Sequence, residues 1–267
     1  PWTVRLLADE PTGSSFPRTR VSVDERDHWS FQSLQPGQLP VVEQSRWCRN
    51  PIDRFILSRL EENRLSPSGR ASRRVLARRA HFSLLGLPPS PEVIARFRSD
   101  ESPSAWSDLV DRLLASPHYG QRWARHWMDV ARFAESGGFE HDADRPTAFH
   151  YRDFLIAAFN SDMPFDQFLS WQLAGDELAP KDPLALMATG FLGAGVFPSQ
   201  LTETEFESSR YDELDDMVTT TGVAFLGLSV GCARCHDHKY DPIPSQDYYR
   251  LLSAFTTTIR GEVTTRA

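Results

Sequence analysis

Two cysteines and two histidines lie close together in the stretch from Gly231 to Pro242. Cys232, Cys235 and His236 form C-x-x-C-H, the pattern through which c-type haem is attached to a protein. At this spacing both thiols can form thioethers with the two haem vinyl groups, and the adjoining imidazole can reach the iron. We therefore predict one covalently bound haem c, with Cys232 and Cys235 as attachment residues and His236 as the proximal iron ligand.

Two neighbours of these residues are also expected to contact the cofactor. Arg234 lies between the two cysteines, and His238 follows the proximal ligand by two residues. His238 can hardly reach the opposite face of the same ring. We expect it instead to contact a haem propionate, to hold His236 in position, or to pack at a helix end.

The two thiols could also serve a purpose unrelated to haem. They could form a small disulfide in an exported protein. They could bind zinc with His236 and His238, although structural zinc usually takes four ligands in two separated pairs. A thioredoxin-like redox site expects a βαβ context that the sequence lacks. The third cysteine, Cys48, is expected to be a buried or free thiol.

The second axial position of the iron decides what such a haem does. A methionine or histidine there favours electron transfer, whereas an open position lets the iron bind a small ligand or peroxide. Met217 precedes the motif, but a continuous helix from about 205 to 230 would place it ~22 Å from Cys232 along the axis. Met217 could therefore ligate the iron only if the helix broke at residues 219–222. Further distal candidates are His118, His150, Met128, Met163 and Met187.

His126 is the preferred distal ligand. Arg122, His126 and Asp129 fall at i, i+4 and i+7, which places them on one face of a predicted helix. Trp123, Trp127 and Val130 form another face, which we expect to be buried. His126 could ligate the iron or act as an acid–base group above an open site. The alternative is a structural histidine bonded to Asp129 or to the backbone.

A calcium ion is conceivable near the haem but is not favoured. Asp237, Asp241 and Asp247 offer the oxygen ligands that calcium prefers. Such residues more often cap helices and turns, and Asp241 before a proline is typical of a turn. We expect haem c as the only cofactor.

Composition and hydropathy restrict the class of protein. The 267 residues, 40% of them hydrophobic and 24% charged, suit one large or two small globular domains. The apolar run at 223–230 is too short to span a bilayer, so we do not expect a transmembrane protein. Twelve arginines lie between residues 46 and 98, and seven acidic residues lie between 202 and 216. We interpret this asymmetry as ion pairing or docking to an acidic partner rather than nucleic-acid binding.

Helical patterns dominate from Asn50 onward. N-cap residues followed by proline, at Asn50 and Ser90, predict helix starts, and further helices are expected at about 72–85, 118–135 and 205–230. We predict an all-α fold, an irregular multi-helix bundle around one haem c. Residues 1–46 are expected to form an extended arm, pinned by His28, Trp29 and Phe31, and residues 47–267 the helical haem domain.

Several motifs together resemble a known family. They are Asn50–Asp53, Leu85–Pro89, Leu113–Gly120, Arg122–Trp127, Met163–Phe168, Gln172–Asp176 and Gly231–Ile243. The sequence from about Asn50 to Phe255 resembles a planctomycete-type cytochrome c-like domain of otherwise unknown function, found in large exported proteins. The resemblance implies haem c at Cys232, Cys235 and His236.

The expected function is electron transfer within a larger redox assembly, with other redox proteins or haem domains as partners. A chain that starts at Pro1 is interpreted as a processed piece of a longer product or a member of an oligomer. Covalent haem attachment takes place outside the cytoplasm, so we expect a periplasmic or extracellular location. The alternatives are a haem enzyme with an open distal site, such as a peroxidase or an oxidase of small substrates, and a non-haem helical scaffold.

Overall fold

The chain folds into helices in each of two compact units. The computed structural model describes residues 27–139, 142–198 and 202–261. Across these ranges the regular structure is helical, apart from an isolated bridge between Ser136 and Asp144. The all-α class predicted from the sequence is confirmed.

The larger unit comprises Ser33–Phe206 and Arg260–Ala267, and the smaller unit comprises Pro1–Gln32 and Glu207–Ile259. The described α-helices of the larger unit are α1 (Pro51–Glu62), α2 (Arg73–Leu84), α3 (Pro91–Ser99), α4 (Ala105–Leu114), α5 (Pro117–Val130), α6 (Phe149–Asn160), α7 (Phe165–Leu178), α8 (Pro183–Ala188) and α9 (Gly190–Gly193). The smaller unit is built from α10 (Phe206–Thr221), which starts at the unit boundary, and α11 (Ser245–Ala254).

Side-chain caps explain where the first helices begin. The side chain of Asn50 accepts a hydrogen bond from the backbone N–H of Asp53 at 3.1 Å. The side chain of Asp53 accepts one from the backbone N–H of Asn50, which completes a capping box. The side chains of Ser72 and Ser90 cap α2 and α3 by accepting a hydrogen bond from the backbone N–H three residues later. The helix starts predicted at these three residues are confirmed.

The core of the larger unit is formed by pairs of neighbouring helices. α2 packs against α3 and α4, α5 packs against α6, and α7 packs against α8. The first of these groups buries Ala77, Phe97, Leu109 and Leu113 in one hydrophobic cluster. Each helix thereby removes one apolar stripe from water, which is the main source of its stability.

A buried polar group joins α5, α6 and α7. The Oε1 atom of Gln172 accepts hydrogen bonds from the Tyr151 hydroxyl at 2.7 Å and from Trp127 Nε1 at 2.8 Å. Its Nε2 atom donates to the Phe168 carbonyl at 2.9 Å. Gln172 is 0% exposed, so these three bonds satisfy an amide that has no access to water. We call Gln172, Tyr151 and Trp127 the Gln172 network.

The face through which α5 packs differs in part from the predicted one: Trp127 packs inward against Phe168 and Gln172, as expected. Trp123 and Val130 remain 36% and 43% exposed, and the buried residues of α5 are Gly120 and Ala124. A Cβ atom at Gly120 would lie 2.5 Å from the Ile156 carbonyl oxygen. Small residues let α5 and α6 approach closely, and the bulky tryptophan pattern did not reveal this.

The predicted arm lies mostly outside the described residues, which begin at residue 27. The anchor expected at its end is not formed there, because Trp29 is 80% exposed and the His28 ring contacts its near neighbours Trp29, Ser30 and Phe31. The boundary at residue 46 stays a prediction. Among the described helices, none combines the length and the apolar character needed to cross a membrane.

Candidate functional site

The C-x-x-C-H motif lies on an exposed turn of the smaller unit. A 3-10 turn, Val230–Arg234, holds Cys232, and Cys235 and His236 follow it directly. All three side chains are exposed, and Cys48, Cys232 and Cys235 are free thiols. The two sulfurs and the imidazole predicted to act together are therefore presented on one short segment.

A chain reversal brings this turn back along α10. The α-helix ends at Thr221, a π-helical turn covers Gly222–Leu226, and Gly227 adopts a left-handed conformation with φ of 66°. Glycine is the residue that enters this conformation without a steric penalty. A Cβ atom at Gly231 would lie 2.5 Å from Thr219 Oγ1, so the returning segment packs directly on the helix it left.

The reversal corrects two expectations from the sequence. The helix predicted from about 205 to 230 ends early, because the π-helical turn and Gly227 redirect the backbone. The separation of Met217 from Cys232, which assumed a continuous helix, is consequently wrong. Met217 lies in α10 two residues from Thr219 and is 1% exposed.

His236 has one ring nitrogen whose lone pair is available to a metal. Its Nδ1 atom lies 2.7 Å from the carbonyl oxygen of Asp237. A carbonyl can only accept, so Nδ1 must carry the proton of the neutral ring and Nε2 is left bare. This tautomer, fixed by a backbone carbonyl, is the one in which histidine binds a metal through Nε2.

His238 is held inside the loop that follows the motif. Its side chain is 7% exposed, and its Nδ1 atom accepts hydrogen bonds from the backbone N–H groups of Tyr240 at 3.2 Å and Asp241 at 2.8 Å. Its Nε2 atom lies 3.1 Å from the Ser229 hydroxyl, to which it donates. Both ring nitrogens are engaged, which supports the packing role; a propionate contact stays a prediction.

Arg234 ties the motif to the helices on either side. Its guanidinium binds Asp212 Oδ1 at 2.9 Å and Asp215 Oδ2 at 3.1 Å, both on α10. The Tyr249 hydroxyl of α11 donates to the Arg234 carbonyl at 2.9 Å. We call these contacts the Arg234 clamp. The hydrogen bond to Asp212 is the main reason that the pKa of Arg234 is raised above its ordinary value.

Tyr248 supports the Arg234 clamp through a hydrogen bond to Asp215. It is 1% exposed, and its hydroxyl donates a hydrogen bond to Asp215. Burial first, and then the hydrogen bond to this carboxylate, raises the pKa of Tyr248 above its ordinary value. Tyr248 therefore keeps its proton and remains a donor across the whole physiological range.

The clamp partners were missed by the sequence interpretation. Asp212 and Asp215 belong to an acidic stretch that we considered for ion pairing only as a whole. Their i, i+3 spacing on one helix face was the available signal, because it matches the reach of a single guanidinium. The contact of Arg234 with the cofactor stays a prediction.

We expect Arg234→Gln to lower the free energy of unfolding by about 0.5–1 kcal/mol, because glutamine cannot pair with both carboxylates and solvent screens both ion pairs. Urea unfolding measures the loss, and amide hydrogen exchange over residues 231–236 should become faster. Arg250→Gln is the matched control, since Arg250 makes one exposed ion pair with Asp247 at 3.0 Å. An equally small effect of both substitutions would contradict a role for Arg234 in holding the turn.

The three aspartates considered for calcium have separate structural partners. Asp237 Oδ1 accepts from the Ser245 N–H at 2.8 Å, Asp247 pairs with Arg250, and the Asp241 carbonyl accepts from the Ile243 N–H at 2.7 Å within a turn. Within the described ranges no three His, Cys, Asp or Glu side chains are grouped as a metal site would require. These contacts are typical of turns and helix starts, and haem c as the only cofactor stays a prediction.

His126 lies on α5 of the larger unit. Its ring is exposed and contacts Trp123 edge-on at 5.5 Å between centroids. Among the described residues no hydrogen bond joins it to Asp129. Its role as a distal iron ligand stays a prediction.

Comparison with known proteins places the chain in a family. No curated protein and no solved structure matches it. Residues 51–260 match the family described as PSCyt2, protein of unknown function (DUF1549), and this match covers well over half of the chain. The chain belongs to that family.

Proposed function

We propose that this chain carries one haem c and passes electrons within a larger redox assembly. The proposal depends on one observation. Cys232, Cys235 and His236 are exposed on one short segment, and the Nε2 atom of His236 has an available lone pair. These residues fit the group chemically, because attachment needs two reactive thiols and one imidazole with a free lone pair. The family name PSCyt2 is cytochrome-like and supports the same conclusion.

The chain's own residues supply attachment and orientation. Cys232 and Cys235 would hold the group through two thioethers, in which the sulfur bonds to one carbon of a vinyl group and the thiol hydrogen goes to the other, with no change in the number of electrons. His236 Nε2 would supply a lone pair to its iron, and the bond from Nδ1–H to the Asp237 carbonyl fixes the ring orientation. When bound, haem supplies one-electron chemistry at its iron.

The surroundings of the motif suit a module that works with others. The turn is exposed, and the Arg234 clamp holds it on α10 and α11, which favours a fixed orientation of the attached group. Long-range electron transfer needs a second cofactor nearby, so we propose a redox protein or haem domain as partner. Because thioether attachment takes place outside the cytoplasm, we propose a periplasmic or extracellular location.

The test is to produce the chain in cells that attach haem c and to record a pyridine haemochrome spectrum. We expect one covalently bound haem per chain and a reversible change between the reduced and oxidised spectra. Carbon monoxide or cyanide should leave the spectrum of a six-coordinate carrier unchanged. An immediate shift of the Soret band would instead indicate an open distal site and a haem enzyme.

His126→Ala tests the predicted distal ligand. Removal of a sixth ligand from the iron is expected to change the spin state, which absorption spectroscopy detects directly. The matched control is Gln121→Ala, since Gln121 is exposed on the same helix and has no imidazole to offer the iron. An unchanged spectrum of His126→Ala would remove His126 from the coordination sphere.

A further inference from the structure

A cavity of 520 Å³ lies in the larger unit and includes no residue of the C-x-x-C-H motif. Its walls come from the turn that precedes α6, the first turn of α6, one side of α8 and the junction between α8 and α9. The volume falls within the range of about 300–1,000 Å³ that is typical of small-molecule sites. It is large enough to bury a compact organic ligand.

The floor of this cavity is rigid. Tyr151 lines it, is 3% exposed and is fixed by the Gln172 network. Gly190 lies against Tyr151 so closely that a Cβ atom would be 2.7 Å from the tyrosine Cβ. A surface held by packing and by a satisfied hydrogen-bond network is preorganised for a ligand, because little ordering remains to be done on binding.

Another part of the lining is kept open by a small residue. Gly193 lines the cavity, and a Cβ atom built there would meet no atom within 4 Å. Its φ lies outside the left-handed region, so a larger side chain introduces no backbone strain. Because Gly193 lines the cavity and its Cβ would meet open space, we expect a bulky residue there to occupy part of the cavity volume.

The lining combines apolar surface with anchored cationic groups. Pro183, Leu186 and Met187 provide apolar contacts. Arg145 donates to the carbonyls of Ala194, at 2.9 Å, and Gly195, and Arg260 donates to the same Gly195 carbonyl at 3.3 Å. These bonds fix both guanidinium groups beside the α8–α9 segment.

The charges of the lining favour an anion. The charged side chains around the cavity are two guanidinium groups, Arg145 and Arg260, and one carboxylate, Asp144. Guanidinium groups bind carboxylates through short, charge-assisted hydrogen bonds. Apolar walls beside two such groups are complementary to an organic acid with an apolar body.

We propose that this cavity binds a small carboxylate that has an aromatic or branched apolar body. The apolar body lies against Leu186, Met187 and Tyr151, and the carboxylate faces Arg145 and Arg260. The site does not depend on haem attachment, because none of its residues belongs to the motif.

The experiment titrates the full chain with phenylacetate and, separately, with the neutral isostere phenylacetamide, using calorimetry and saturation-transfer NMR. We expect saturable binding of phenylacetate and at least about tenfold weaker binding of phenylacetamide, the factor expected for one charge-assisted hydrogen bond. Equal binding of the two compounds, or none of phenylacetate, would overturn the proposal.

A cavity-filling variant tests the location. Gly193→Leu should weaken phenylacetate binding at least about tenfold, as expected when a side chain occupies the ligand's volume. Gly69→Leu is the matched control, since Gly69 lies in the loop between α1 and α2 and its Cβ would likewise meet no atom within 4 Å. Undiminished binding of phenylacetate by a folded Gly193→Leu chain would contradict this location. If the variant does not fold, the comparison of phenylacetate with phenylacetamide still tests the proposal, because it uses the wild-type chain.

Discussion

A chain in which Cys232 and Cys235 are both replaced by serine is expected to contain no covalent haem. The thiol, as thiolate, is the nucleophile of cysteine, and a serine hydroxyl cannot replace it at neutral pH. The wild-type chain, produced in the same cells, should carry one haem that survives extraction with acidified acetone. The pyridine haemochrome absorbance of the extracted protein should fall to background in the double variant.

Two further substitutions separate the roles of the neighbouring residues. Cys48→Ser should retain full haem content, because Cys48 is a half-buried thiol outside the motif. His236→Ala should retain thioether-bound haem with a changed spectrum, since the thiols remain but the proximal imidazole is gone. A colourless wild-type chain whose two motif thiols still react with iodoacetamide would refute the haem proposal.

Local signals in the sequence were sufficient for the helix starts and for the family. Asn50, Ser72 and Ser90 each cap a helix with a side chain that lies within three residues of its partner, so the information is contained in a short window. The resemblance based on short motifs is confirmed as membership of a family of unknown function. The grouping of the three motif residues on one segment was also predictable, because their spacing is local.

Long-range contacts account for what the sequence could not predict. The reversal at Gly227 folds the motif back onto α10, and a helical pattern that continues through the reversal conceals it. Arg234 then meets Asp212 and Asp215, which are about twenty residues away in sequence. A pattern of hydrophobicity or charge does not specify which of several acids an arginine will contact, because that depends on packing.

Gln172 shows the same limit in the core. It stands in the apolar run of α7, where its neighbours predict a buried helix, and nothing local indicates what satisfies its amide. Its partners Trp127 and Tyr151 are 45 and 21 residues away and come from two other helices. Buried polar groups that find all their partners fix a unique arrangement of the surrounding helices.

Replacement of Gln172 by alanine is expected to lower the free energy of unfolding by about 3–5 kcal/mol. The substitution leaves a cavity in place of the side chain, at a cost similar to that of other large-to-small core changes. It also leaves the Tyr151 hydroxyl proton without its acceptor in a site that excludes water. Urea unfolding followed by tryptophan fluorescence measures the loss.

The matched control is Gln121→Ala, a glutamine on the exposed side of α5 whose Oε1 atom lies 3.0 Å from His118 Nδ1. A change there should stay within about 0.5 kcal/mol, because surface substitutions away from special features rarely exceed that. Tyr151→Phe should fall between the two, since it deletes one hydroxyl and preserves the ring packing. If Gln172→Ala were no more costly than Gln121→Ala, the three helices would be held by apolar packing alone, and the floor of the cavity would not be preorganised by the Gln172 network.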